Sequence, residues 1–227
     1  MSDIFREVDE ALQKEKAARF WKEYGPTLIA AAVIMVLSTA ATTAYRTWDS
    51  SRNKAETAKL VAAAEDKDIA AAMEEAAADT RDGHKAVALM NAAGQHAQKK
   101  DFAKAAALYD TVSSDKSAPD DLRDLAGIFF ARSTLLSDPK ADAKALLDRL
   151  LPIAKNEKSA FHLQARLEAA LLYGEALKDY TAALALLTGF EAGKGTDSLQ
   201  EKAQALKHVY EYELAKDSAK TSSPQQN

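Results

Sequence analysis

A chain of 227 residues, 47% of them apolar, is long enough for one ordinary domain with a real core. Its net charge of −4 excludes nucleic-acid binding by counterion release, and the lack of cysteine excludes disulfides, thiol catalysis and Cys-based zinc sites. Only 8 glycines and 5 prolines interrupt abundant Ala, Leu, Lys, Glu and Asp, a mixture that favours helix almost throughout.

Residues 1–23 read as an amphipathic segment. Ile4, Phe5, Val8 and Leu12 recur at helical spacing, and Glu10 with Lys14 and Glu15 with Arg19 form i,i+4 pairs. Such a helix lies on a membrane face or leads into a span.

Between Glu23 and Arg46 no side chain is charged. As a helix, Tyr24 to Tyr45 is roughly 32 Å long, against a hydrocarbon layer of roughly 30 Å. Trp21 and Tyr24 stand at one end and Tyr45 and Trp48 at the other, the amphipathic belt that a bilayer interface selects. The stretch 24–46 therefore predicts a single transmembrane helix, with Gly25-Pro26 opening its apolar run. The competing readings are a buried helix of a soluble protein and a cleaved signal peptide with small residues at Ser38-Thr39-Ala40. The long, mixed-charge segment ahead of the run opposes the second. Lys14, Lys16, Arg19 and Lys22 before the run, against Arg46, Arg52 and Lys54 after it, give a slight bias toward a cytoplasmic N-terminus.

Residues 47–82 are charged and Ala-rich, with sparse Leu60, Val61, Ile69 and Met73. They predict a stalk of one long helix or a helical pair, with a domain boundary at Thr80 to Gly83. Residues 83–215 then alternate helix signals: 84–99, a helix from Phe102, 120–137, 141–155 with Pro152 near its end, 159–178, 180–190, and a final helix over 197–215. Short breaks between them imply antiparallel neighbours. The polar tail 216–227 predicts disorder.

A period runs through this region. Asp101-Phe102-Ala103-Lys104-Ala105 is echoed by Asp179-Tyr180-Thr181-Ala182-Ala183, with a degenerate copy at Asp142-Ala143-Lys144-Ala145. With Ala105, Ala145 and Ala183 as reference positions, Tyr109, Arg149 and Leu187 follow, and then Val112, Pro152 and Phe190. An aromatic at the start of a second helix (Phe102, Tyr180), a small residue three later and a large one four beyond match how a tetratricopeptide-like unit packs its helices. The expected fold is all-α: one N-terminal transmembrane helix, then a TPR-like solenoid of about three helix pairs with a C-terminal capping helix. Its concave face would suit a segment of another protein.

No constellation points to chemistry. His84, His96, His162 and His208 are scattered without ligand spacing, and His96 reads as one member of an intrahelical pair. Gly189 to Thr196 resembles a phosphate-binding loop only superficially, because a helix rather than a strand precedes it. Asp120, Asp121, Asp124, Glu168 and Glu175 read as a solvated helix face, and no nucleophile elbow is present. The reading is of a non-enzyme with no cofactor, no metal, no nucleic acid and no small-molecule substrate.

The stretch FWKEYGPTLIAAAVIMVL, followed by Tyr45-Arg46-Thr47-Trp48 and TPR-like repeats, resembles the YfgM-type ancillary SecYEG translocon subunit family in its alphaproteobacterial form. The resemblance is best over 19–48. It implies a single-pass bacterial inner-membrane protein with a cytoplasmic N-terminus and a periplasmic TPR-like domain. It also implies association with the SecYEG translocon and a PpiD-like periplasmic chaperone. The function implied is an adaptor assisting the biogenesis of secreted or membrane proteins. The alternative is a structural scaffold subunit of another inner-membrane or envelope complex.

Overall fold

The structure, a computed structural model, describes residues 2–190 and 197–222, with the side chains of 2–13, 17, 25–29 and 218–222 left outside the description. Every regular element among the described residues is helical. The chain divides into two compact units, 1–55 and 56–227.

Helix α1 runs without interruption over Ser2–Ala64. The expected N-terminal segment, the apolar stretch and the start of the stalk are thus one helix, which passes through Gly25-Pro26 instead of starting there. The side chains of Ile4, Phe5, Val8 and Leu12 lie outside the described residues, while Glu15 and Arg19 pair at 2.8 Å. In the first unit, 30–48 is exposed throughout, including Val33, Ile34, Met35, Val36 and Leu37. Trp21, Tyr24, Tyr45 and Trp48 are exposed as well, with ring pairs Phe20–Tyr24 at 5.2 Å and Tyr45–Trp48 at 6.1 Å. Among the described residues no helix is long and apolar enough to cross a membrane; residues 25–29 of the expected span are outside the described side chains.

The second unit begins with the last turns of α1. After a turn at 65–68 comes α2 (Ile69–Ala78), which packs on α3 (Asp82–Gln98). Residues 47–82 therefore comprise the end of α1 and a second helix, and from Glu56 onward they belong to the packed unit. Ala63, Met73, Ala76 and Ala77 share a core with Ala88, Leu89 and Ala92 of α3. Small residues let α2 approach closely despite its lack of bulk.

There follow α4 (Phe102–Ser114), α5 (Asp120–Ser137), α6 (Ala143–Lys155), α7 (His162–Leu171, continued by a π turn over Leu172–Ala176), α8 (Tyr180–Leu187) and α9 (Asp197–Ser222). Each packs on the next, and α3 also touches α5, α5 touches α7 and α7 touches α9. That second set of contacts is the signature of stacked helix pairs, in which the first helices line up on one face. The core advances with the stack, from α5, α6 and α7 to α7, α8 and α9. Helix α9 extends to Ser222, beyond Lys216 where disorder was expected: Ala203 and Tyr210 anchor its first half, and the helix continues from there. Residues 223–227 and 191–196 of the tail and the glycine-containing loop lie outside the described residues.

Three aspartates set the repeat register. Asp101, Asp142 and Asp179 cap α4, α6 and α8, their carboxylates accepting from the backbone N–H of Lys104, Lys144 and Ala182 at 3.2, 2.9 and 2.9 Å. Counting from the caps, Ala105, Leu146 and Ala183 occupy one buried position, then Tyr109, Leu150 and Leu187, then Val112, Ile153 and Phe190. This corrects the middle unit. Ala145 is exposed, as are Arg149 and Pro152, because the letter match Lys-Ala at 104–105 and 144–145 slips by one residue against the backbone. Ahead of two of the caps, Lys100 (φ 64) and Lys178 (φ 55) adopt the left-handed conformation. At the first, Asp101 N–H donates to His96 and Lys100 N–H to Ala97, closing α3 as a Schellman motif with lysine where glycine is usual.

Candidate interaction groove

The line of first helices leaves a groove. Its floor is built where α5 and α7 run side by side: Ala131 and Leu135 from one, Leu167 and Leu171 from the other. On α5, Leu135 faces the core beside α6 while its neighbour Leu136, one helical step around, is 55% exposed at the groove's lip. The groove has a volume of about 630 Å³, within the range of about 300–1,000 Å³ that small-ligand pockets occupy.

Four charged groups border it, two of each sign. Arg132 donates to Glu168 across from α5 to α7, and Gln164 donates to the same carboxylate oxygen at 3.3 Å. The Arg132 guanidinium also sits over the Phe129 ring at 5.9 Å. The Glu168 side chain is mostly covered while that of Arg132 is nearly half exposed, so the pair links the two helices with only its carboxylate end largely out of water. Glu175 from the π turn and Lys202 from α9 complete the border.

The π turn has a visible cause. Leu177 N–H reaches Leu172 carbonyl, five residues back, at 3.2 Å. At the middle of the widened turn Gly174 receives the Tyr210 ring from α9, and a Cβ there would fall inside the ring's van der Waals surface. Tyr210 is fully buried, stacked beside Tyr180 at 5.8 Å, and its hydroxyl meets no hydrogen-bond partner among the described residues. Burial, together with the Glu175 carboxylate nearby, pushes that hydroxyl up to about 12. One face of the turn seats α9 and the other lines the groove.

Elsewhere the polar groups tie helices together. His96 bonds Glu74 of α2 at 2.8 Å and stands 3.7 Å from Asp101, so it joins neighbouring elements and is not one half of an intrahelical pair. Burial alone would raise the Glu74 carboxyl, but hydrogen bonds from Lys104 and His96 outweigh it and hold the group below its ordinary value. Asp124 accepts from Ser159 at 2.6 Å, joining α5 to the loop ahead of α7. At the other end of α8, Arg166 donates to the carbonyls of Leu186 and Thr188 and covers the Phe190 ring at 5.7 Å, capping that helix with a guanidinium. Among the described residues no three His, Asp or Glu side chains gather as a metal site would require.

The residues singled out by spacing divide into two sets. Ala105, Tyr109, Ala183 and Leu187 are buried between helices, and Phe102 and Tyr180 are half-buried at helix starts. Trp21, Tyr24, Tyr45 and Trp48 belong to the first unit and form no part of the groove's lining. Sequence reasoning missed Arg132 and Leu136 and read Glu168 and Glu175 as part of a solvated helix face; Glu175 is exposed, but Glu168 is mostly covered and paired with Arg132 of the neighbouring helix. The adjacent Leu135-Leu136 and Leu171-Leu172 pairs carried a signal, because one buried stripe needs only one of each pair on its face.

Residues 18–208 match a family described as a tetratricopeptide repeat-like domain. No curated protein and no solved structure matches the chain.

Proposed function

Because the chain belongs to the tetratricopeptide repeat-like domain family, a family of interaction modules, we propose that it is a non-enzymatic adaptor tethered to a membrane by the 24–46 stretch of α1. The observation that carries the tether is the all-round exposure of Val33 to Leu37. A helix that is apolar on every side belongs in a protein interior or in lipid, and among the described residues nothing shields this one. The hydroxyls fit the same reading. Ser38 and Thr39 donate to the Met35 carbonyl, Thr42 to Ser38 and Thr43 to Thr39, at 2.8–2.9 Å. Polar groups satisfied within their own helix enter hydrocarbon at reduced cost.

The resemblance of 19–48 to YfgM-type subunits supports the finer reading: a bacterial inner-membrane location, an N-terminus in the cytoplasm, the repeat domain in the periplasm, and SecYEG with a PpiD-like chaperone as partners. Tethering would keep the groove near emerging chains and raise effective concentration without strong intrinsic affinity.

Purification in mild detergent tests the partners: recovery of SecYEG and the chaperone is expected, and recovery of a different envelope complex instead would favour the scaffold reading. Digestion of intact spheroplasts tests topology. External protease should remove a fragment of about 20 kDa, the mass of the segment beyond the anchor at the usual ~110 Da per residue; complete protection would contradict a periplasmic domain.

A further inference from the structure

We infer that the groove between α5 and α7 is a binding site for a small amphiphile, a long-chain carboxylate with one hydrocarbon tail and one anionic head. The inference stands apart from the adaptor reading, since it needs no polypeptide partner.

The walls select the body of the ligand. Leu135, Leu167 and Leu171 line the space, and Pro139 of the turn between α5 and α6 adds apolar surface. Leu150 of α6, which has no accessible surface of its own, lines it too, so the space extends down to the core between the helix pairs. At about 630 Å³ it is of the size that encloses a small organic ligand. The polar side chains on the walls have little left to offer. Glu168 accepts from both Arg132 and Gln164, and Glu175 pairs with Lys178 at 3.7 Å. An extended peptide would bury amide groups here with few free groups to bond them, whereas a hydrocarbon tail brings none.

The head follows from the charge that the walls leave over. Lys202 stands exposed on the border, and among the described residues no carboxylate pairs with it. A single ammonium matches a single carboxylate. A phosphate dianion would need a second converging cation, but Arg132 is neutralised by Glu168, and Glu175 on the same border repels added negative charge. Burial of the tail supplies affinity, and Lys202 supplies orientation.

Photo-crosslinking tests the site. Palmitate carrying a diazirine in its tail is irradiated with the full chain, both in isolated membranes and in nanodiscs, and labelled peptides are mapped by mass spectrometry. Its methyl ester and a diazirine phosphatidylcholine are the comparison probes. Label on the exposed apolar stretch of α1 serves as the reference for all three. Palmitate should label 135–139 and 167–176, and excess unmodified palmitate should abolish that label. The ester should label these segments about tenfold less, for want of one charge-assisted contact. Lys202→Gln should lower the palmitate label by about the same factor. Lys207→Gln, at an exposed position on the same helix, should leave it unchanged, and Glu175→Gln should raise it. Thermal melts of the three variants check folding. No label on the lining, equal label from the ester, stronger label from the phosphatidylcholine, or indifference to Lys202→Gln would each overturn the inference. Groove label that appears in nanodiscs but not in membranes would give the space to a polypeptide and overturn it as well.

Discussion

Two apolar stretches of this chain meet opposite fates. Val33 to Leu37 in α1 are 51–69% exposed, whereas Leu146, Leu147, Leu150, Ile153 and Ala154 in α6 are buried. Apolar content does not separate them; period does. Five consecutive residues step about 100° each and cover every side of a helix, so no single neighbour can shield them. The α6 set recurs at three and four and forms one stripe, which α5 and α7 cover between them. The second pattern is matched by partner helices, whereas the first has no covering neighbour among the described residues, which is what the proposed tether rests on.

The largest effect comes from charging the first stretch. Ile34→Lys with Val36→Lys should cost insertion about 5–7 kcal/mol, at about 2.5–3.5 kcal/mol per charge near a span's centre. The double variant should leave the lipid fraction in a flotation gradient while the melting of the second unit stays unchanged. Continued flotation with lipid would remove the basis for a tether.

The reciprocal change sharpens the contrast. Leu150 is fully buried, and Leu150→Ala should destabilise the second unit by about 2–5 kcal/mol, read from the urea midpoint. Ile34→Ala, removing similar carbon from an exposed site, should shift that midpoint by less than about 0.5 kcal/mol. Equal shifts would mean that Ile34 is shielded by protein and is not free for lipid.

How much of this was legible beforehand varies with the range of the cause. Residues 120–137 are one helix in sequence and in structure, because Pro119, the acidic pair Asp120-Asp121 and Asp138-Pro139 are local signals. The repeat was visible too, but its middle register was not. Asp142 lies one residue nearer to Lys144-Ala145 than Asp101 lies to Lys104-Ala105, and only the carboxylate on the backbone N–H says which to count from. The π turn was beyond reach, since its cause, the Tyr210 ring, lies on another helix. The same holds for the Arg132–Glu168 pair and for His96 with Glu74, each joining elements whose adjacency is known only after folding.

The caps offer a test within the repeat unit. Asp101→Ala, Asp142→Ala and Asp179→Ala should each cost about 1 kcal/mol, while Asp→Asn at the same sites, which keeps an acceptor oxygen, should cost less. The caps sit in separate pairs, so a double variant should add within about 0.5 kcal/mol. A negligible loss at Asp142 alone would return the register to Ala145.

The smallest effect at neutral pH, and the one most specific to the groove's end, is Tyr210→Phe. The hydroxyl is buried without a hydrogen-bond partner among the described residues, so removing it should leave stability at pH 7 unchanged or slightly raised. The difference emerges in alkali. Below pH 10 the group is neutral in both states; from about 10 the unfolded chain ionises first, and the folded form follows only at about 12. Between those values folding must hold a proton that the unfolded chain releases, so stability falls as pH rises. Tyr109, also raised by burial, supplies a similar slope that survives the substitution. The wild-type chain should therefore lose melting temperature more steeply than Tyr210→Phe across pH 10–12, and both should decline. Parallel curves would mean that Tyr210 reaches water, and with it that the seat at Gly174, the π turn and the groove floor behind it are looser than their packing implies.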